Sequence, residues 1–477
     1  MGQEIDTPTF EAPHFDQFRS RLARETQLLA EWLREGKLSN QGPVGGFELE
    51  AWLVDDDFAP APLNERFMRV MDDPLAGSEL ARFNVEFNNR PRPLVDHALR
   101  EMARELEATW ARGVKAGAAC GARLLSIGIL PTLQPRHLGM DALTPMNRYY
   151  ALNEQVLRSR AHRPLRLDIR GHERLRRTHD SMMLEAAGTS FQIHLQAPPA
   201  QISRLYNAAL AVAAPLLAAG ANSPYLFGAD LWSESRMPLF EQSLEVGGYG
   251  GARYGPLRRV SLGSGYVRSS IIECFEENLQ HFPVLLPMLF ETSLEQLSHV
   301  RLHNGTVWRW VRPLVGFDDD GAPHVRIEHR ILPGSPSVAD AVSDAALCYG
   351  LTAALSAKDV DLPARLPFER ARDNLQRAAR RGLDARIEWL DGARIGLRRL
   401  LLDELLPLAQ RGLLAMELEP ADCDHYLGIV RRRVQKNQNG ANWQRAFVAR
   451  HGRDMRALTA AYAEHQRGGS PVHTWPL

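Results

Sequence analysis

Lysine is nearly missing from this chain: 477 residues contain four, Lys37, Lys115, Lys358 and Lys436. Almost every cation is therefore a guanidinium, and phosphate or carboxylate must be met mainly by arginine. Cysteine is equally sparse. Cys120, Cys274, Cys348 and Cys423 lie far apart with no C-x-x-C pair, which argues against a cysteine zinc site and a dense disulfide framework and points to a reducing compartment. No charge excess exists either, since 57 Lys+Arg balance 57 Asp+Glu, so a basic field for nucleic acid is lacking. The opening MGQEIDTPTF carries acid where a secretory signal carries a basic stretch, and it lacks the Ser or Thr of the myristoylation pattern. The most apolar run, residues 208–219, contains Pro215 and is shorter than the ~20 residues of a membrane span. P-loop, nucleophile-elbow and H-E-x-x-H motifs are all absent. The expectation is a soluble cytoplasmic protein with small-molecule partners, no nucleic acid and no membrane.

What is present is an ordinary globular composition, 44% hydrophobic and 24% charged, long enough for about three domains of ~150 residues or one large core with an added module. Phe15, Phe18, Leu22, Leu29 and Trp32 recur at helical spacing up to Gly36 and predict an opening helix. Short alternating or apolar segments at 47–54, 83–88, 124–130, 191–196 and 325–332 predict strands. Helical patterns cover Val95, Leu99, Met102 and Leu106, then residues 203–219. Ser337 and Asp340 form a capping box for a helix carrying Val338, Ala341, Val342 and Ala345. From there the pattern is almost entirely helical. The reading is an α+β body to about residue 355, preceded by a helix in 1–40 and followed by a helical C-terminal region, 356–477, packed on it. Residues 244–266 hold seven glycines without periodicity, the mark of a long loop that serves as a lid or a connector.

Residues i and i+2 of a strand share a face. Glu48 and Glu50 therefore point one way while Phe47 and Leu49 point the other. Asn84, Glu86 and Asn88 do the same, as do Gln192, His194 and Gln196, and Arg326, Glu328 and Arg330. One wet face of an antiparallel sheet accounts for any single strand. Together the four are harder to explain that way, because two carboxylates ~6.5 Å apart repel by roughly 2.5 kcal/mol at an effective dielectric near 20. Cations or protons must relieve that cost. Glutamates with one histidine form an oxygen-rich set suited to Mg²⁺ or Mn²⁺, and adjacent arginines suit a phosphorylated ligand. Two other features read as solvated surface: Glu291, Glu295, His299 and His303 at i, i+4 spacing, and the run of eight arginines from 158 to 177.

Gly46-x-Glu48-x-Glu50 followed by Leu53-Val54-Asp55 resembles the opening strand of the bacterial glutamate-cysteine ligase family, including its carboxylate-amine ligase branch. Glu79-Leu80 leading to Asn84-Val85-Glu86, Thr144-Pro145-Met146-Asn147-Arg148-Tyr149, Gln192-Ile193-His194, Asn222-Ser223-Pro224 with Arg236, and Arg326-Ile327-Glu328-His329-Arg330 follow in the family's order over about residues 45–350. The resemblance implies a glutamine-synthetase-like catalytic domain over 41–355, with a curved antiparallel sheet forming a funnel. It implies ATP-dependent ligation through γ-glutamyl phosphate, with cysteine as the default amine. By motif, Glu48, Glu50, Glu79, Glu86, His194 and Glu328 would hold Mg²⁺ or Mn²⁺. Arg330 and Glu328 would act on the transferred phosphoryl group, Arg236 on a substrate carboxylate or phosphate, and Gln192, Arg326 and Arg330 at the nucleotide. Asn84 stands where the family has Gln, and the third strand reads Gln-x-His-x-Gln rather than His-Val-His. These departures leave open another amine acceptor, and a non-catalytic paralogue that binds nucleotide or glutamate. A metal-dependent phosphoester hydrolase using the same carboxylates is the other enzyme class.

Overall fold

The computed structural model describes residues 4–245, 258–357 and 361–477. Its strands are β1 (Val44–Val54), β2 (Ala76–Ser78), β3 (Asn84–Asn88), β4 (Arg92–Pro93), β5 (Arg123–Leu125), β6 (Leu165–Arg170), β7 (Arg174–His179), β8 (Ser190–Gln196), β9 (Tyr225–Leu226), β10 (Ala229–Asp230), β11 (Val311–Phe317), β12 (Pro323–Pro333), β13 (Arg386–Glu388) and β14 (Arg394–Gly396). Eight of these form one antiparallel sheet in the order β11-β12-β8-β1-β3-β2, with β4 and β5 attached to β1. The other six pair off as small hairpins. β1 is the spine of the sheet: β8 and β5 pair along one edge, β3 and β4 along the other.

The alternation works as expected. Phe47, Leu49, Val85, Phe87, Phe191, Ile193, Leu195 and Ile327 are all buried on the back, where the Phe47 and Phe191 rings lie 5.2 Å apart. Helices Pro199–Gly220 and Val338–Leu355 cover that back; Tyr206 Oη donates to the Val311 carbonyl at 3.3 Å and Tyr349 Oη to that of Gly46 at 2.9 Å. Both helices are long and apolar enough to cross a membrane, the first extending well beyond the run apparent in the sequence. Their apolar windows are 89% and 78% buried inside the protein, which makes them core helices. The fold is thus α+β, with a curved antiparallel sheet followed by helices.

Several elements match the periodicity closely. The opening helix runs Ala12–Glu35 and ends on Gly36 at φ 69°, a left-handed position that glycine fills without cost. Ser337 caps helix Val338–Leu355, accepting from the Asp340 amide at 3.1 Å. Asp340 and Asp344 then grip Arg433, which is 1% exposed, on helix Pro420–Gln435. Gln466 of helix Met455–Arg467 bonds both main-chain groups of Ser126, tying the last long helix to the body.

Helices Val338–Leu355 and Leu406–Ala415 cross where Gly350 faces Gly412. A Cβ at Gly412 would overlap the Gly350 carbonyl. Helix propensity favours Gly→Ala by about 1 kcal/mol, but overlap with a main-chain carbonyl forces the helices apart, at a cost of about 3 kcal/mol for a branched residue. Gly412→Val is therefore expected to lower the melting temperature, and an unchanged melt by circular dichroism would refute the close crossing.

Two expectations change. Of the 124–130 segment only Leu124 and Leu125 are strand, in β5; the remainder is buried without strand pairing. Glu291, Glu295, His299 and His303 do not share a solvated helix face: Leu297, at φ 48°, breaks the chain direction before helix Ser298–Gly305. His299 is instead buried against Glu25 at 2.6 Å, and His303 Nε2 donates to the Asn278 carbonyl at 3.0 Å. The arginine run is solvated and salt-bridged surface, as expected: from Arg166 onward it lies on the β6–β7 hairpin, with Leu165, Leu167, Ile169 and Leu175 turned inward and Asp168 pairing Arg174 and Arg176 on the outside. The glycine-rich loop expected at 244–266 falls largely on residues 246–257, outside the described residues.

Candidate active site

Register brings the four polar faces together. Across β1 and β8, Glu48 stands opposite Gln192 and Gly46 opposite His194. Across β1 and β3, Glu50 faces Glu86. Across β12 and β8, Glu328 faces His194, and across β11 and β12 it faces Arg312. All ten residues expected at the site therefore lie on or beside this sheet, with Glu79 immediately after β2 and Arg236 opening helix Arg236–Ser243.

One cluster joins Glu48, His194 and Glu328, whose ligand atoms all lie within 4.8 Å of one another. His194 Nε2 sits 3.4 Å from Glu48 and 3.9 Å from Glu328 and has no hydrogen-bond partner. Its Nδ1 accepts from Arg326 Nε at 3.1 Å. Burial keeps the ring neutral by lowering its pKa, so Nε2 carries the single proton and points it at the carboxylates. A cation on Nε2 requires that proton to leave and Arg326 to turn away from Nδ1. Glu328 is the anchor of this end. Its Oε2 accepts from Arg312 Nε at 2.5 Å and Arg330 Nη1 at 3.1 Å, and its Oε1 from Arg312 Nη2 at 3.3 Å. Burial alone would favour its acid form, but the Arg312 and Arg330 charges outweigh burial and hold the carboxyl well below the usual range.

The second cluster is held less comfortably. Glu50 accepts from the Ser190 amide and hydroxyl, each at 2.6 Å, and from Gln192 Nε2 at 2.9 Å. Gln192 Oε1 in turn receives Arg330 Nη1, so one glutamine links the two clusters. Burial and the neighbouring Glu48 and Glu50 push Glu86 up to about 7. Burial followed by Glu86 and Glu50 drives Glu79 well above its ordinary range. Glu185, on the 3-10 turn Met182–Ala187, is likewise pushed up to about 7 by burial and Glu50. Carboxyl groups that stay protonated for want of a counter-charge are a chemical fit to a divalent cation.

Arg236 is held against the main chain of β12. The β12–β8 register shifts by one residue between His329 and Leu332, a bulge that re-aims Arg330 and frees main-chain groups. Arg236 Nη2 donates to the carbonyls of Arg330, at 3.2 Å, and Ile331. Its Nε lies 3.4 Å from Glu234, and its guanidinium is 5.3 Å over the Trp310 ring. Glu234 also accepts from the Asn222 amide and Ser223 hydroxyl, so the Asn222-Ser223 motif serves the same bracket. Arg236 thus braces the main chain on which Arg330 stands.

Arg312 and Glu185 escaped the sequence reading. Arg312 lies on edge strand β11, where Pro313 obscures the alternation that edge strands tolerate. Glu185 sits on a 3-10 turn without periodicity, so no local signal marks it.

No curated protein matches the chain. Among solved structures, glutamate–cysteine ligase from Francisella tularensis in complex with AMP aligns with a TM-score of 0.51 at 13% identity, covering 89% of each chain. A bifunctional glutathione synthetase from Pasteurella multocida gives 0.49 at 12% identity over 93% of this chain and 54% of its own. The complex of the ubiquitin-like protein Pup with its ligase PafA gives 0.36 at 9% identity, covering 89% and 72%. The first of these shows a shared fold. The profile of Glutamate-cysteine ligase family 2 matches residues 44–470, from the first residue of β1 to just past the last long helix, and the chain belongs to that family.

Proposed function

We propose that this ligase of the glutamate-cysteine or related carboxylate-amine type uses ATP to phosphorylate the γ-carboxylate of glutamate and joins it to an amine, cysteine first among the acceptors, in the cytoplasm. The observation that carries the reading is the interleaving of six candidate metal ligands with Arg312, Arg326 and Arg330 on one sheet face. Phosphoryl transfer asks for neutralised charge and in-line positioning more than for covalent help. Glu48, His194 and Glu328, with Glu50, Glu79 and Glu86 beside them, would hold Mg²⁺ or Mn²⁺, which supplies neutralisation of phosphate charge when bound. Arg330, gripped by Glu328 and Gln192 and aimed by the bulge, supplies a fixed guanidinium for the transferred group. Arg326, next to His194 and His324, would supply a further guanidinium for a nucleotide phosphate.

Incubation with ATP, Mg²⁺, glutamate and a panel of amines tests this. ADP release that needs both glutamate and an amine, with a γ-glutamyl amide identified by mass, is the expected result. Phosphate release without an amine identifies a hydrolase instead, and nucleotide binding without turnover a sensor.

A further inference from the structure

The motif residues Asn147, Arg148 and Tyr149 have no part in the site so far. Arg148 is 8% exposed, and its Nη2 donates to Tyr149 Oη at 2.6 Å, with the guanidinium 4.5 Å over that ring. Tyr149 Oη reaches the Ser78 carbonyl at 3.4 Å, on the residue before Glu79, and the Arg148 charge acts on Glu79. The pair therefore borders the Glu50–Glu79–Glu86 end of the funnel. Arg148 Nε has no hydrogen-bond partner. Such a buried donor is costly to leave unmade, and here it stands beside the amide of the second residue of helix Asn147–Ser159, which has no intrahelical acceptor.

A carboxylate already rests on this pair of donors. Glu4 Oε1 accepts from the Arg148 amide at 3.3 Å, and its Oε2 lies 3.8 Å from Arg148 Nε. Asn147 Nδ2 donates to the Ile5 carbonyl at 3.1 Å, and Ile5 is 2% exposed. Glu4 itself keeps 41% of its side chain in solvent, so it can leave while Ile5 stays anchored. A helix N-terminus with a guanidinium Nε–H beside it suits the two oxygens of one carboxylate.

We propose that Arg148 and the N-terminus of helix Asn147–Ser159 seat the carboxylate of an amino-acid substrate that is not phosphorylated, and that Glu4 is its internal competitor. The phosphate-facing arginines 312, 326 and 330 stand on β11 and β12, beside the Glu48–His194–Glu328 cluster, so the two anions of the reaction are received at opposite ends of the acidic field. The inference rests on the ligase reading above. The carboxylate belongs either to glutamate, as its α-carboxylate, or to the amino-acid acceptor.

Steady-state kinetics on the full chain separate these sources, with cysteine compared against cysteamine, which lacks the carboxylate. Losing a charge-assisted hydrogen bond corresponds to about a tenfold to hundredfold change. Arg148→Gln and Arg148→Lys are expected to raise the KM for one substrate by that factor while the KM for ATP stays within about twofold. A rise for glutamate with either acceptor assigns its α-carboxylate; a rise for cysteine with cysteamine untouched assigns the acceptor. Glu4→Gln, at an exposed position, is expected to lower the same KM. Thermal protection by glutamate or cysteine alone gives a readout without turnover: Arg148→Gln abolishes it and Glu4→Gln strengthens it. Unchanged KM values and protection in Arg148→Gln overturn the subsite, as does a raised KM in Glu4→Gln. A wild-type chain that never turns over overturns the ligase reading instead, and the protection measurements still decide the subsite.

Discussion

Glu50→Gln and Glu328→Gln each abolish glutamate- and amine-dependent ADP release, by roughly 10³-fold or more given what single electrostatic stabilisers contribute to charged transition states, yet they move stability in opposite directions. Glutamine preserves volume and one acceptor while removing the charge. At Glu328 that charge answers two buried guanidiniums, Arg312 and Arg330. Removing one partner of such a buried pair costs about 3–5 kcal/mol, so the Glu328→Gln protein melts earlier. At Glu50 an amide oxygen in the place of Oε2 keeps the Ser190 main-chain donor and the Ser190 hydroxyl can turn to accept from the new amide, so only Gln192 Nε2 loses its acceptor; against that cost of about 1 kcal/mol, the loss of a negative charge relieves Glu79, Glu86 and Glu185, which its field pushes up. The metal-free Glu50→Gln protein therefore melts at the wild-type temperature or above. A site that gains stability when its function is removed is the usual signature of charge gathered for chemistry. Near-wild-type turnover in either variant would sink the ligand assignment. Equal destabilisation of both would show that Glu50, too, is part of the scaffold.

Period-two alternation is a local property, and it exposed what depends on it alone. Glu48, Glu50, Glu86, Gln192, His194, Arg326, Glu328 and Arg330 were all legible because each alternates with buried neighbours, apolar everywhere except at His329 between Glu328 and Arg330. Which of them meet was not legible, because register is set between strands. The one-residue bulge beside Arg330 exists only in the pairing of β12 with β8, and with it goes the role of Arg236, whose partners are carbonyls that only a bulge leaves free. Likewise His299 and His303 fit a helical spacing, but Leu297 at positive φ and the distant Glu25 decide their environment. Arg148 stood in a motif that sequence could point to without assigning, since its chemistry depends on a carboxylate 144 positions earlier in the chain.

The carboxyls of the metal-free site withdraw stability as pH rises from about 5 to 8, and Mg²⁺ or Mn²⁺ restores it at the upper end. Glu86 and Glu185 are pushed up to about 7 from an unfolded value of 4.5, in both cases first by burial and then by neighbouring carboxylates. Glu79 is raised further and Glu50 is raised as well. Through this window the folded protein keeps protons that the unfolded chain has already released, so each unit of pH favours unfolding. For a group moved from 4.5 to about 7 the full loss is roughly 3 kcal/mol, and the four carboxyls share it because they raise one another. Glu328 behaves oppositely: its lowered pKa gives stability above its unfolded value that is lost only in stronger acid, so it is silent between pH 5 and 8. Glu234, Glu241 and Asp344, also raised, add to the decline, while His303, His329 and His473, which burial lowers to about 4, add stability as pH rises to about 6.5; all six stand outside the candidate ligand set. The difference between melts with and without Mg²⁺ isolates the site from them. That difference is expected to be small at pH 5, where protons fill the carboxyls, to grow through pH 7 as the cation replaces them, and to shrink in Glu86→Gln. Isothermal titration in buffers of different ionisation enthalpy should then show protons released on Mg²⁺ binding near pH 6.5. A Mg²⁺ effect of constant size from pH 5 to 8, with no proton release, would mean that the cation binds elsewhere.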